Sequence, residues 1–436
     1  MIKKQGRAAR KLCSVTILLL ATAFVAVIPA QAAGPKAYVG NFKDNTISVI
    51  DIEQKHVTTS ISVPPGPHGI VITPDNRWVY VASDGASTVS VIDTASDKLV
   101  ENIEVGKNPH GVAVTPDGKF VLVAVYDTDS VAFIDTASKK VIGNVPVGKP
   151  HNIAVHPKDG VAYVGSQTPG NFSLAIIDTA RRTVKENVPL EKTPRGLEFG
   201  PNGKHLYITQ AGVESVLVID PSNNSIVTQI PVGVSPHYAN FTADGKRGLT
   251  AVQGPSVLAI FNPQTHNVEK SIKVGSRPHW VAPGPGSKIA LTANEDSNDV
   301  SFVDLETGEV TNIAVGNAPR KIAVQTGPGK QASSGRGIII NGFAFTPATL
   351  KVNAGETVTW VNDDGAPHSI AVKDGMTSNT LMPSKSYSAK FEQLGNYDYS
   401  CQFTRTCIDS KASAKTWRCV TAGIIDFLRL MIRVSC

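Results

Sequence analysis

PHGVAVTPDG (residues 109–118) is the stretch that decides the fold, because versions of it return along the chain. Each copy opens with a proline followed by histidine or arginine, and the copies lie 41 to 44 residues apart. The seven pairs are Pro67-His68, Pro109-His110, Pro150-His151, Pro194-Arg195, Pro236-His237, Pro278-His279 and Pro319-Arg320. A unit of about 42 residues with four short strands cannot bury both of its faces alone, so copies must stack, and radial stacking gives a β-propeller. The count predicts seven blades.

One full period shows the four strands of a blade. Alternating apolar residues predict strands at 110–115, 120–125, 130–135 and 141–147, with turn residues between them. The chain begins out of phase, because residues 37–63 supply only strands two to four of a blade. The missing first strand is predicted at residues 321–324, at the far end of the repeat. One blade is then shared between both ends of the domain, which closes the ring and hides its edges.

Acidic residues recur at the end of the third strand of the blades. They are Asp93, Asp135, Asp178, Asp220 and Asp304. Carboxylates at such positions stabilise turns, so we predict a structural role for them.

Segments within the blades resemble a known repeat family. YVAS (residues 80–83) and VSVIDT (residues 89–94) are similar to the YVTN family of β-propeller repeats, found in many extracytoplasmic bacterial and archaeal proteins. The resemblance implies one seven-bladed propeller over residues 33–326. It implies a fold and no particular function, because propellers host binding, structural and enzymatic roles.

The first 32 residues predict export. They carry five basic and no acidic residues, an apolar run at 15–28 and a small-x-small site at Ala30-Gln31-Ala32. This is the pattern of a cleaved signal peptide (1–32), which places the mature protein in the periplasm, in the medium or at the cell surface. The apolar run is shorter than the roughly 20 residues that span a bilayer, and no other stretch suggests a membrane span.

Net charge excludes one class of partner. The formal charge of +6 includes +5 from residues 1–32 and +4 from residues 404–436, so residues 33–403 carry about −3. A near-neutral body offers no electrostatic surface for nucleic acid.

A second domain follows a linker. Residues 327–337 are rich in glycine and small residues and predict a flexible tether. Short strands are then predicted at 338–345, 349–352, 357–361, 369–372, 387–391 and 397–401. Together these predict an all-β protein in which a small β-sandwich follows the propeller.

The second domain resembles the plastocyanin-like cupredoxins over residues 338–403. The segments that carry the resemblance are FAFTP (343–347), NAGETV (353–358), NDDGAPHS (362–369) and YDYSC (397–401). The family's type 1 copper site uses two histidines and a cysteine thiolate in a plane, with a distant methionine. The resemblance therefore implies a Greek-key sandwich, copper as cofactor, and His368 and Cys401 as two of its ligands.

The end of the chain departs from the family pattern. The family continues Cys-x-x-His-Pro-x-Met, whereas Thr404 and Cys407 stand where histidine and methionine are expected. One cytosine restored ahead of the Thr404 codon lets the next five codons read His-Pro-His-Met-His, so we interpret residues 404–436 as frame-shifted. A divergent extension with disulfides is the alternative. Cys407 is a weaker candidate for the axial sulfur, and Met376 and Met382 are interpreted as hydrophobic filling.

The propeller has a candidate site of its own at the repeated position. The residue after each proline lies where an outer loop enters the innermost strand, so seven side chains should surround one mouth of the channel. They are His68, His110, His151, Arg195, His237, His279 and Arg320. Converging imidazoles could bind a transition metal, with guanidinium groups holding an anion beside it. Alternatively, each ring hydrogen-bonds the backbone of a neighbouring blade, and both interpretations stay open.

The sequence predicts an exported copper-binding protein of electron-transfer type. The propeller would be a docking or binding platform, the cupredoxin the redox carrier, and a redox protein the partner. Motifs for covalent haem, a serine nucleophile and a phosphate loop are absent, so an enzyme is not the favoured class. Two alternatives remain: a cell-surface or periplasmic propeller without redox activity, and a propeller metalloenzyme with its metal at the histidine ring.

Overall fold

A computed structural model describes residues 34–326 and, further on, 337–341, 344–346, 350, 352, 354–362, 367–372, 376–382, 385–393 and 397–401. The backbone of two short strands, Ala422–Ile424 and Arg433–Ser435, is also described. The predicted signal peptide, all but the last residue of the predicted linker and most of the tail lie outside these residues. Where the chain is described, it has no helix long and apolar enough to cross a membrane.

Seven four-stranded antiparallel sheets form a β-propeller, and we number its blades around the ring. Blade 1 contains Pro319–Gln325, Lys36–Asn41, Thr46–Asp51 and His56–Ser62. Blade 2 contains Pro67–Ile72, Trp78–Ser83, Thr88–Asp93 and Lys98–Glu104. Blade 3 contains Pro109–Val114, Phe120–Val125, Ser130–Asp135 and Lys140–Pro146, within one residue of the prediction.

The remaining blades repeat this arrangement. Blade 4 contains Pro150–Val155, Val161–Ser166, Ser173–Asp178 and Thr183–Pro189, and blade 5 contains Pro194–Phe199, Leu206–Gln210, Ser215–Asp220 and Ser225–Pro231. Blade 6 contains Pro236–Phe241, Gly248–Val252, Val257–Phe261 and Val268–Lys273, and blade 7 contains Pro278–Pro283, Ile289–Asn294, Asp299–Asp304 and Val310–Ala314. Single 3₁₀ turns lie at Tyr126–Thr128 and Pro285–Ser287.

The ring closes as the sequence predicts. Pro319–Gln325 pairs antiparallel with Lys36–Asn41, with Ile322 opposite Val39 and Val324 opposite Ala37. Each innermost strand also contacts the innermost strand of the next blade, and the strand of blade 7 contacts that of blade 1. Blade 1 therefore joins the two ends of the propeller chain.

The blades bury their apolar faces against one another. One core cluster, for example, joins Tyr80 and Val91 of blade 2 to Val112, Val121 and Val123 of blade 3. All five side chains are at least 92% buried. Burial between blades confirms the reason given for the repeat, since one sheet cannot cover both of its faces.

The recurrent acidic residues stabilise turns, as predicted. Asp93 accepts hydrogen bonds through Oδ1 from the backbone N–H groups of Ala95 and Ser96, at 3.0 and 2.9 Å. Asp135, Asp178, Asp220 and Asp304 accept equivalent bonds from the turn that follows each of them. Hydrogen bonds from these turns hold the pKa of these last four carboxyls below the usual range, chiefly those from the side chains of Ser138 and Ser222 and from the backbone of Arg181 and Thr307.

Two further sheets form the C-terminal cupredoxin sandwich. One contains, in spatial order, Ala344–Thr346, Gly337–Asn341, Glu356–Asn362 and Ser386–Phe391, and the other contains Ile370–Val372, Tyr399–Cys401, Ala422–Ile424 and Arg433–Ser435. Trp360, Phe391 and Tyr399 are buried in their shared core. The prediction of a strand at 349–352 is wrong at its two described residues, because neither Leu350 nor Val352 lies in a strand. Both precede the turn at Gly355.

Candidate functional site

A β-bulge at the start of each innermost strand positions the repeated histidine or arginine. In blade 2, Pro67 pairs with Ser83 and Gly69 pairs with Ala82, so His68 is the extra residue. The register shifts at the same proline in the other blades. The residue before the proline has a positive φ in six blades, at Gly66, Asn108, Lys149, Ser235, Arg277 and Ala318. Bulges of this kind turn a side chain out of the regular pleat.

The five histidines come together at one mouth of the channel. Ring centroids of His68 and His110, and of His110 and His151, are 3.9 Å apart. The rings of His237 and His279 are 3.8 Å apart. His68 and His279 meet across blade 1 at 5.4 Å.

Three of these rings hydrogen-bond the backbone of the next blade. Nδ1 of His110 lies 3.0 Å from the carbonyl oxygen of His151, and Nδ1 of His151 lies 3.2 Å from that of Arg195. Nδ1 of His279 lies 3.1 Å from the carbonyl oxygen of Arg320. A carbonyl only accepts, so Nδ1 carries the proton and Nε2 keeps its lone pair in the neutral ring. These three histidines therefore make the hydrogen bonds to a neighbouring blade that one of the two interpretations of the repeat predicts.

Burial lowers the pKa of all five histidines. The pKa falls to about 3 for His151 and for His237. Desolvation also holds the pKa values of His68, His110 and His279 well below the usual range, with smaller contributions from neighbouring rings and from Lys321. The rings are therefore neutral near pH 7, and a neutral imidazole is the form that binds metal.

A second set of mouth residues follows the second strand of each blade. The set is Phe42, Asp84, Tyr126, Gln167, Ala211, Gln253 and Glu295. Each donates its backbone N–H to the carbonyl of the residue before the repeated proline, as Asp84 does to Gly66 at 2.8 Å. These seven positions were not predicted, although they also recur at the repeat spacing.

The two carboxylates of this set have different surroundings. Glu295 forms ion pairs with Arg320 at 3.0 Å and Arg277 at 3.6 Å. Asp84 forms no ion pair with lysine or arginine among the described residues, and its Oδ2 faces Nε2 of His110 at 3.9 Å. Burial raises the pKa of Asp84 to about 7, against the attraction of Arg320 and Lys321.

Arginines lie at the mouth among the histidines. Arg195 donates to Oγ of Ser235 at 3.3 Å, and the guanidinium of Arg320 lies 3.7 Å from the ring centroid of Phe42. A cavity of about 370 Å³ is lined by Arg195, Arg277 and Arg320 together with His151, His237 and His279. Arg277 was not predicted, because it precedes the repeated proline and does not follow it.

The channel below the histidines contains a buried lysine, Lys321, that was not predicted as a site residue. Lys321 is 2% exposed, donates to Oδ1 of Asn152 at 2.8 Å and lies 4.2 Å from the ring centroid of Trp280. Trp280 stacks on Tyr238, whose hydroxyl donates to Glu198. Burial lowers the pKa of Lys321 to about 7 and raises that of Glu198 to about 7.

The repeat holds the signal that would have found Lys321. It is the residue directly after the histidine or arginine, and the equivalent positions are Gly69, Gly111, Asn152, Gly196, Tyr238, Trp280 and Lys321. A Cβ atom at Gly69 would lie 2.2 Å from the carbonyl oxygen of His110, so glycine is required there. Three blades have glycine at this position, and the other four have a larger residue. The larger side chains therefore distinguish these four blades from the glycine form of the repeat.

In the C-terminal domain the backbone brings the two expected copper ligands to neighbouring strands. Ile370 is the register partner of Cys401, and His368 lies two residues before Ile370. His368 is 3% exposed, and its backbone pairs with that of Leu381. Met376 packs against the core, whereas Met382 is 55% exposed, so the prediction that Met382 fills the core is wrong.

The donor set for type 1 copper is incomplete in the residues of this chain. His368 is the only histidine after residue 279, so the C-terminal domain offers one imidazole where the trigonal plane needs two. Thr404 and Cys407, the positions of the second histidine and the methionine, lie outside the described residues. The chain therefore supplies two of the four expected copper ligands, His368 and Cys401.

Comparisons with known proteins match both parts of the chain. A YNCE-like beta-propeller family model matches residues 20–116, and a cupredoxin-like domain model matches residues 322–411. Hydrazine synthase of Kuenenia stuttgartiensis has a similar structure, with a TM-score of 0.58 and 20% identity over 65% of this chain and 99% of that chain. The periplasmic gluconolactonase PpgL of Pseudomonas aeruginosa has a TM-score of 0.55 and 18% identity over 66% and 98%. At these identities the likeness shows the fold alone.

The C-terminal domain has closer relatives. Plastocyanin of Scenedesmus fuscus is 41% identical over 72 residues, which is 14% of this chain and 74% of the relative. Amicyanin of Paracoccus versutus is 36% identical over 68 residues, 14% of this chain and 52% of the relative. The chain spans only about half of several other plastocyanins. Through this domain, which follows a YNCE-like β-propeller, the chain belongs to the plastocyanin family of cupredoxins.

Proposed function

We propose that this protein is an exported copper-binding protein of electron-transfer type. The observation that carries the proposal is the placement of His368 and Cys401. The strand Ile370–Val372, which begins two residues after His368, pairs with Tyr399–Cys401 in a domain that is 41% identical to a plastocyanin, a copper protein family. Copper would supply one-electron chemistry at this place. His368 and Cys401 would hold it, and the burial of His368 would exclude water from that side.

The incomplete donor set limits what this chain does. With one imidazole and one thiolate, copper affinity should fall well below that of a four-ligand site, and the trigonal geometry is lost. Cys407 is the remaining candidate for an axial sulfur. We infer that the family function requires the histidine and methionine that Thr404 and Cys407 replace.

The propeller would serve as the docking or binding platform for a redox protein. Its arginine-lined cavity offers guanidinium groups that suit carboxylates on a partner surface. Export is supported by the basic head and apolar run of residues 1–32. A propeller without redox activity remains the alternative if the copper site is not restored.

Copper loading of the full-length protein tests this function. The unaltered protein should lack the intense blue thiolate-to-copper absorption, because the trigonal plane is one imidazole short. A variant with Thr404→His, Arg405→Pro, Thr406→His, Cys407→Met and Ile408→His, and with a matching final strand, should gain it. Adding Cys401→Ser to that variant should abolish the colour.

Two results would contradict the proposal. A folded rebuilt variant that stays colourless with Cu²⁺ would show that His368 and Cys401 are not copper ligands. An unaltered protein that is already blue would contradict the incomplete donor set, because either a propeller histidine would then complete the site or the frame-shift interpretation would be wrong. Resequencing the gene across the Phe403 codon checks the frame directly.

A further inference from the structure

Three side chains on one arc of the propeller mouth are arranged like metal ligands. His68, His110 and Asp84 each offer one ligand atom within 4.8 Å of the other two. Two atoms that bind one ion tetrahedrally at 2.0–2.2 Å lie about 3.3–3.6 Å apart. Nε2 of His110 and Oδ2 of Asp84, 3.9 Å apart, are within about half an ångström of this spacing. The cluster needs side-chain movements of up to about 1.5 Å to close on an ion.

Two atoms of the cluster have no hydrogen-bond partner. Nδ1 of His68 and Oδ1 of Asp84 are buried and unpaired among the described residues. His68 is only 3% exposed. Buried polar atoms are nearly always paired, so each unpaired one requires an explanation such as an ion. A cation held by His68 through Nδ1 would give that buried atom its missing partner.

The third side chain is already oriented for binding. Nδ1 of His110 donates to the carbonyl oxygen of His151 at 3.0 Å, which leaves the lone pair on Nε2. That lone pair faces Oδ2 of Asp84 at 3.9 Å. Metal-binding histidines commonly donate their other ring N–H to a backbone carbonyl, which fixes the tautomer and the ring.

We propose that His68, His110 and Asp84 bind one divalent transition-metal ion, such as Zn²⁺, at the mouth of the propeller. Two imidazoles and a carboxylate are a donor set that suits Zn²⁺, with a fourth position left for water or a ligand. The site is open to solvent, since the side chains of His110 and Asp84 are 12% and 17% exposed. It is separate from the copper function proposed above and does not rest on it.

The equivalent carboxylate two blades away, in blade 7, explains why one arc is chosen. Glu295 occupies the position of Asp84 in blade 7, but Arg320 and Arg277 neutralise it. A cation there would meet two guanidinium groups. Asp84 and Glu295 therefore occupy equivalent positions, but Asp84 faces a histidine whereas Glu295 is paired with two arginines.

Zinc titration of the full-length protein tests the site. Thiols are alkylated first, so that Cys401 and the tail cysteines do not bind zinc, and affinity is measured by calorimetry at pH 7.5. Asp84→Asn should weaken zinc binding at the mouth by at least about 10- to 100-fold, since even outer-shell partners contribute that much. Glu295→Gln should leave the affinity unchanged. Co²⁺ absorption then reports whether the ligands are nitrogen and oxygen.

The outcomes separate clearly. Equal zinc affinity and stoichiometry in the parent and Asp84→Asn, including no binding by either, would overturn the proposal. If Asp84→Asn does not fold, His68→Gln replaces it, because that ring makes no hydrogen bond through Nδ1. Zinc binding by a folded His68→Gln with parental affinity would overturn the proposal equally.

Discussion

The propeller mouth and the proposed copper region of the C-terminal domain each contain buried histidine, but they are built in different ways. At the mouth, a repeat supplies His110, His151 and His279, and each ring donates to the backbone of the next blade. In the sandwich, His368 is a single residue placed beside Cys401 by strand register. A histidine that recurs with the repeat thus contributes to the architecture, and at His68 and His110 it gains proposed chemistry only because Asp84 lies beside it, whereas His368 has no copy.

Departures from the repeat extend this comparison into the propeller itself. Asp84, Lys321 and Arg277 each occupy a repeated position with a residue that most other blades lack. The structure places all three at the mouth or in the channel just below it. Chemistry in a symmetric fold is therefore best sought where the symmetry is broken.

The largest expected effect is on the fold and tests the architectural half of the comparison. In a chain that ends after residue 327, further deletion of residues 319–327 removes the innermost strand of blade 1 and exposes the edge of Lys36–Asn41. We expect loss of cooperative unfolding and of solubility. The control ends the chain after residue 327, which keeps the closed ring and should melt cooperatively in a calorimeter. A cooperative, soluble protein after the deletion would show that the ring does not depend on this strand.

Much of the fold could be predicted because it depends on local patterns. The period gave the blade count, the strands of blade 3 and the closure at residues 321–324. The mouth was predicted only in part, since Asp84 and Arg277 approach it through loops whose contacts are not local in sequence. Lys321 lay beside a predicted residue, but its burial beside Asn152 of a distant blade depends on ring closure.

Acid should destabilise the mouth, because its histidines are buried neutral. The pKa of His237 is about 3, lowered by burial and by Arg195, His151 and Lys321, and only partly restored by the carbonyl of His279. Between pH 6.5 and 3 the unfolded chain binds more protons at this residue, so stability is lost as pH falls through that range. His237→Gln should reduce the slope by up to about 1.4 kcal/mol per pH unit. Urea denaturation with a chelator present measures it, and an unchanged slope would mean that the ring is charged or exposed.

Lys321 should act at alkaline pH with the same sign. Its pKa is about 7 in the folded protein and near 10.5 when unfolded, because burial disfavours the ammonium. The unfolded chain therefore binds more protons between these values, and stability should rise with pH from about 7 to 10.5. Lys321→Met should flatten that rise, by up to about 1.4 kcal/mol per pH unit. Lys119→Met, at a 71% exposed side chain, is the control that should leave the rise in place.

The smallest effect is expected from a residue that obeys the repeat. Asp93 accepts bonds from the backbone N–H of Ala95 and Ser96 in an exposed turn, so Asp93→Ala should cost about 1 kcal/mol in urea denaturation. Asp135→Ala, at the same place in blade 3, should cost a similar amount, because Asp135 bonds Ser138 in the same way. Asp93→Asn keeps an acceptor oxygen and should cost less.

Neither alanine variant should change zinc affinity at the mouth, since both turns serve only their own blade. A tenfold loss of zinc binding in Asp93→Ala would break the comparison, because a turn residue would then act on the chemistry that we assign to His68, His110 and Asp84. Unequal costs at Asp93 and Asp135 would also break it, by showing that equivalent turns in two blades do not contribute equally to stability. Equal costs with unchanged zinc affinity would separate the repeated turn residues, which hold the blades, from Asp84, which makes a metal site of two repeated histidines.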